Sequence, residues 1–85
     1  MNCRTLDYIV SLVETGSIKA ASEKCNASAG TVSHQISKLE SYLGVRIFES
    51  RHQPVTLTLR GQQLLPLMRS VVSSLKDIQT FSRST

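Results

Sequence analysis

No apolar run in this 85-residue sequence approaches the ~18 residues of a membrane span, and the N-terminus lacks the charged-then-apolar pattern of a secretory signal. A cytoplasmic location is expected. Only two cysteines occur, Cys3 and Cys25, too few for a disulfide framework. Cys25 falls on an apolar helical stripe and reads as a small buried hydrophobe. No Cys/His spacing fits zinc, and no Gly-rich loop could cradle a phosphate. His34 and His52 fall in different elements with no clustered carboxylate. Neither metal, cofactor nor catalysis is therefore expected. Internal repeats and low-complexity tracts are also missing.

What is present is a basic, globular composition. The length suits one small domain with a limited core. Hydrophobic residues make up 40%, well above a disordered chain, and the net charge of +4 favours a polyanionic partner. Residues 17–44, SIKAASEKCNASAGTVSHQISKLESYLG, are the most informative stretch. They read as two short helices joined by a tight turn, a helix-turn-helix over 17–43. Ser17 is placed to cap the first helix, and Ala20 and Ala21 allow close approach by the second. Asn26 and Ala27 form the turn, where Asn tolerates left-handed backbone. Ser28 caps the second helix and Gly44 ends it. Val32, Ile36, Leu39 and Leu43 fall on one buried stripe. The opposite face carries Thr31, Ser33, His34, Ser37 and Lys38, short polar or basic groups suited to a major groove about 12 Å wide.

An amphipathic helix precedes this unit at 3–14, with Leu6, Ile9, Val10 and Val13 at helical spacing, extended by Tyr8 and Leu12. Asn2 is the expected cap and Thr15-Gly16 the end. After Gly44 the pattern turns β-prone over 45–49, then Ser50 to Pro54 read as a turn and 55–57 as a second short strand. Two strands around a basic turn behind a helix-turn-helix suggest a wing. From a Thr58 cap to about Phe81 runs one long helix, roughly 24 residues or about 36 Å. Its apolar positions Leu64, Met68, Val71, Leu75 and Ile78 make a heptad-type seam, widened by Leu65, Val72 and Phe81. Pro66 removes one backbone hydrogen bond and predicts a kink near the start. The residues after Phe81 are expected to fray. The surplus seam predicts pairing with an identical helix; the competing reading is a helix that folds back on its own domain.

At this point a family resemblance enters. Thr15-Gly16-Ser17, Ala20-Ala21, Ser28, Val32-Ser33, Gln35-Ile36 and Leu39-Glu40 stand in the order and spacing of the N-terminal domain of LysR-type transcriptional regulators. Leu43 to Glu49 (LGVRIFE), Leu57-Thr58 and Gly61 continue the match, which covers residues 2 to about 82. The Cys25 position and the opening MNxRxLxY are similar to the peroxide-sensing branch, whose redox cysteines lie in an effector domain that this chain lacks. The resemblance implies a mainly α fold: a winged helix-turn-helix, with a three-helix core and a two-stranded wing, plus a long C-terminal linker helix. It implies a recognition helix in the major groove, a wing at the minor groove and antiparallel pairing of linker helices. It also implies a C-terminal sensor domain that binds a small inducer. The chain stops where the linker helix would end, and so reads as a DNA-binding fragment without that inducer site.

The expected division is a winged helix-turn-helix over 1–57, with its wing at 45–57, and a dimerising linker helix over 58–85. The candidate DNA-contacting residues are Ser28, Ala29, Gly30, Thr31, Ser33, His34, Ser37 and Lys38 in the helix-turn-helix, and Arg51 and His52 in the wing. Lys38 and Arg51 are expected on phosphates, Thr31 and Ser33 on bases. Dimerisation is assigned to Leu64, Met68, Val71, Leu75 and Ile78. Several positions depart from the family pattern. Ala29 and Gly30 stand where it has Gln followed by Pro or Ser, His34 where it often has Arg, Ser50 where Arg usually follows the strand, and Gln53 at a second basic wing position. Gly30 also weakens the first helical turn by about 1 kcal/mol relative to Ala. The leading expectation is a homodimeric, sequence-specific DNA-binding domain. The alternative is a winged-helix dimerisation or protein-interaction module with weak DNA affinity. A third option is a related winged-helix family with no such sensor domain.

Overall fold

The computed structural model describes residues 3–84. Six elements follow in order: α1 (Cys3–Thr15), α2 (Ile18–Lys24), α3 (Ala29–Leu43), β1 (Phe48–Ser50), β2 (Thr56–Leu57) and α4 (Leu59–Ser84). The expected Asn2 cap of α1 lies outside the described residues. The other expected caps are in place. The Ser17 hydroxyl accepts from the Ala20 N–H at 3.0 Å, and Ser28 from Thr31 N–H at 3.1 Å. Thr58 Oγ1 does the same for Gly61 N–H at 2.9 Å. Asn26 takes the left-handed backbone at φ 56°, making the turn between α2 and α3. Gly44 ends α3 at φ 67°, with Val45 N–H returning to Glu40 O at 3.1 Å.

The core forms around α1, which touches all three other helices. Ile9 and Leu12 of α1 and Val32 and Ile36 of α3 are fully buried, joined by Leu39, Ile47 and Phe48. Each such side chain contributes roughly 1.5–3 kcal/mol by leaving water. Cys25 is half-buried rather than buried, with its Sγ 3.3 Å from Ser11 Oγ. Leu43, expected on the buried stripe, is 38% exposed. It stands in the last turn of α3, where Gly44 directs the chain away from the packed face.

The wing strands are shorter than the β-prone pattern suggests. Residues 45–47 are not in a strand, because their backbone bridges two helices. Ile47 N–H bonds the Glu40 carboxylate at 2.7 Å, and Ile47 O accepts from Thr58 N–H at 2.9 Å. The antiparallel pairing is Phe48 with Leu57 and Ser50 with Thr56, so β1 carries one extra residue between the pairs. Such a bulge bends the strand and re-aims the side chains that follow.

Helix α4 runs continuously through Pro66 and on to Ser84, past the end of the apolar pattern at Phe81. Its length of about 39 Å accounts for most of the 42 Å long axis of the molecule. It packs on α1 through Met68 and Val72, which are 5% and 6% exposed, with Leu64 and Leu65 half-buried beside them. The expected seam is therefore divided. Met68 belongs to the chain's own core, and Leu64 and Leu75 are half-buried, whereas Val71 and Ile78 are exposed. The outward apolar residues of α4 are Leu59 at its start and Leu67, Val71, Ile78 and Phe81 further along. Part of the helix thus folds back on its own domain and part does not.

Candidate nucleic-acid interface

Helix α3 presents its polar face because its apolar stripe is fixed on α1 and α2. Ser28, Ala29, Gly30, Thr31, His34, Ser37 and Lys38 are exposed, and Ser33 is half-buried. At the N-terminus the Ser28 hydroxyl also donates to Thr31 Oγ1 at 2.8 Å, so these two side chains form one unit. Ala29 and Gly30 leave the first turn open, and a Cβ on Gly30 would meet nothing within 4 Å. Lys38 has no ion-pair partner among the described residues.

Arg51 does not stand free in the wing as expected for a phosphate contact. Its Nη2 donates to Glu40 Oε1, and its Nη1 donates to Ser37 Oγ at 2.9 Å, Ser33 O at 3.1 Å and Ser33 Oγ at 3.2 Å. The second oxygen of Glu40 accepts from the backbone N–H groups of Ile47 and Phe48. One carboxylate thus joins α3, the strand and the arginine. The side chains of Arg51 and Glu40 are only 20% and 16% exposed, which sets this pair apart from the solvated Lys24–Glu14 pair at 3.4 Å. The bulge in β1 precedes Arg51 directly and turns it toward α3. His52 is exposed at the wing, its backbone tied to the Ser50 hydroxyl, and it lines an open cleft with Ser37 and Arg51.

The structure thus holds Ser33, Ser37 and Arg51 together, and Ser28 with Thr31, while His34 and Lys38 project alone. This capped helix, with a small wing beside it, has close relatives. The family model for bacterial regulatory helix-turn-helix proteins of the lysR family matches residues 3–62. The chain belongs to the lysR family.

The DNA-binding transcriptional dual regulator OxyR of Escherichia coli K12 is 38% identical over 79 residues, 93% of this chain and 26% of that protein. The chain thus spans about a quarter of that regulator's length. Full-length OxyR from Pseudomonas aeruginosa superposes with a TM-score of 0.88 at 32% identity, covering 99% of this chain and 28% of that one. The DNA-binding domain of CbnR, solved in complex with DNA, gives 0.82 at 28% identity and covers 99% and 97% of the two chains. This chain is therefore a lysR-family winged helix-turn-helix DNA-binding domain, a family of regulators rather than enzymes.

Glu40 is the residue the sequence reading missed. It lies between the buried Leu39 and the helix end with no basic residue three or four positions away on its own helix. A glutamate so placed lacks the usual i,i+4 partner. That signal points to a partner from another element.

Proposed function

We propose that this domain binds operator DNA sequence-specifically as a homodimer, with α3 in the major groove and the wing at the adjacent backbone or minor groove. The observation that carries the reading is the polar face of α3, capped by Ser28 and left uncovered beside the wing. Lys38 and the free N–H groups of the first turn suit phosphates, and the hydroxyls of Thr31, Ser33 and Ser37 suit base edges. His34 and His52 are further contacts. Ala29 and Gly30 contribute backbone rather than side-chain contacts. Residues 58–85 act as the linker helix, pairing with their counterpart in a second copy. In a protein as long as the relatives, an inducer-binding region would lie outside this chain. No helix among the described residues is long and apolar enough to cross a membrane; we place the activity in the cytoplasm, where the family resemblance puts a regulator of transcription.

The small residues at 29 and 30 favour the second reading, a dimerising interaction module with little DNA affinity. Titration of genomic DNA fragments at two salt concentrations separates the two. A sequence-specific domain selects fragments that bind about 10³-fold or more tighter than bulk DNA, with affinity falling steeply with salt. Uniform binding no tighter than ~10 μM at low salt, the nonspecific range, would leave only the interaction module.

A further inference from the structure

Arg51 binds two serines of the recognition helix, Ser33 and Ser37, by their acceptor side. A serine hydroxyl has one proton to donate and two lone pairs to accept with. In both Ser33 and Ser37 a lone pair is taken by Arg51 Nη1, at 3.2 and 2.9 Å. Neither hydroxyl donates to another group among the described residues. Each keeps its proton and one lone pair for a ligand. A hydroxyl that accepts from a cation is polarised toward donation, which strengthens the outward bond. Thr31 is oriented more weakly, its oxygen accepting from the neutral Ser28 hydroxyl.

We propose that Arg51 is a specificity-positioning residue, which orients and polarises Ser33 and Ser37 toward donating to hydrogen-bond acceptors on DNA. The proposal rests on the DNA-binding reading above and refines it. In the major groove the acceptors are guanine O6 and N7, adenine N7 and thymine O4. The amino groups of cytosine N4 and adenine N6 are donors and are disfavoured, because they meet only the remaining lone pair of a hydroxyl already accepting from a cation. The serines thus favour guanine or thymine edges over cytosine. Glu40 holds Arg51 in register by engaging its other amino group, while Ile47 and Phe48 hold Glu40. Arg51 acts through the serines and is not itself a phosphate contact.

The test is selection from a randomised duplex library with the 85-residue chain, followed by sequencing and by salt titration on the selected site. The double variant Glu40→Gln/Arg51→Met removes one charge of each sign and leaves the net charge at +4. It should relax the base preference at the positions read by the serines by about two- to tenfold each, the range of one neutral hydrogen bond. Its salt slope should stay within about 0.3 of wild type, well short of the −0.9 that each phosphate contact contributes. Ser33→Ala and Ser37→Ala retain the Arg51–Glu40 pair and should each relax one position, which locates the bases the serines read; the single variant Arg51→Met, read for relaxation at those same positions, keeps the test valid if the double variant unfolds. A wild-type domain that enriches no sequence would overturn the DNA-binding reading itself. Base preference that the Arg51 variants preserve at the positions read by the serines, or a slope that falls by about 0.9 with preference intact, would overturn only the role of Arg51.

Discussion

Gly61 lets the start of α4 lie directly against the backbone of Ile47. A Cβ at this position would lie 2.1 Å from the backbone oxygen of Ile47. The obstacle is main chain, so no side chain can swing aside. Ile47 is also held by Glu40 and Thr58, which leaves it little room to retreat. Gly61→Ala should therefore fall at or beyond the upper end of overpacking costs, about 3 kcal/mol. For a domain of this size that is a fall in Tm of more than about 10 °C. Gly30→Ala is the matched control, because its Cβ meets nothing within 4 Å and alanine is the better helix former. It should raise Tm slightly. Equal melting temperatures for the two variants in thermal unfolding would mean that α4 and the wing are not packed this closely. At this scale the caps were legible from sequence, since Ser17, Ser28 and Thr58 each bond a backbone group three residues ahead. The engagement of Arg51 was not. Its partner Glu40 lies eleven residues away, and the β1 bulge that aligns them leaves no mark in composition or periodicity.

Among the elements, α3 carries the sharpest division of labour. Its buried stripe is a local periodic signal and was readable as far as Leu39. Leu43 continues the period but not the packing, because periodicity does not say where a neighbouring helix ends. The strands were readable as β-prone segments, while their true limits depend on which backbone groups Glu40 and Thr58 occupy. On the exposed face, Lys38 and Thr31 should behave differently. Lys38 is a solvated cation, so Lys38→Ala should weaken binding to every sequence and make the salt slope shallower by about 0.9. Thr31 is neutral and sits in the first turn with its oxygen oriented by Ser28. Thr31→Ala should change which sequences are preferred and leave the slope unaltered. Titrations of both variants on a selected site and on bulk DNA give this comparison. Equal weakening on the two DNAs by both variants would remove base reading from this end of the helix.

The whole molecule is shaped by α4, which carries two apolar stripes rather than one. Met68 and Val72 point into the chain's own core, with Gly61, Leu64 and Leu65 alongside. Leu67, Val71, Ile78 and Phe81 point outward, roughly 100° away around the helix at 3.6 residues per turn. A heptad comb drawn on the sequence passes through members of both, which is why the seam expected from spacing mixed inward Met68 with outward Ile78. The two stripes make separable predictions. Met68→Ala should destabilise the folded chain by about 2–5 kcal/mol, as core truncations do. Leu67→Ala with Ile78→Ala should leave the melting of a dilute monomer nearly unchanged. Removing these side chains from both copies of a pairing helix forfeits several kcal/mol at ~0.8 kcal/mol per buried methylene. That is a hundredfold or greater rise in the dimer Kd. Sedimentation over a concentration series reads the second effect and thermal unfolding the first. A wild-type chain that remains monomeric at about 100 μM, on the scale of weak association, would assign the outward stripe to some other partner. A dimer indifferent to the loss of Leu67 and Ile78 would place its contact elsewhere on the domain.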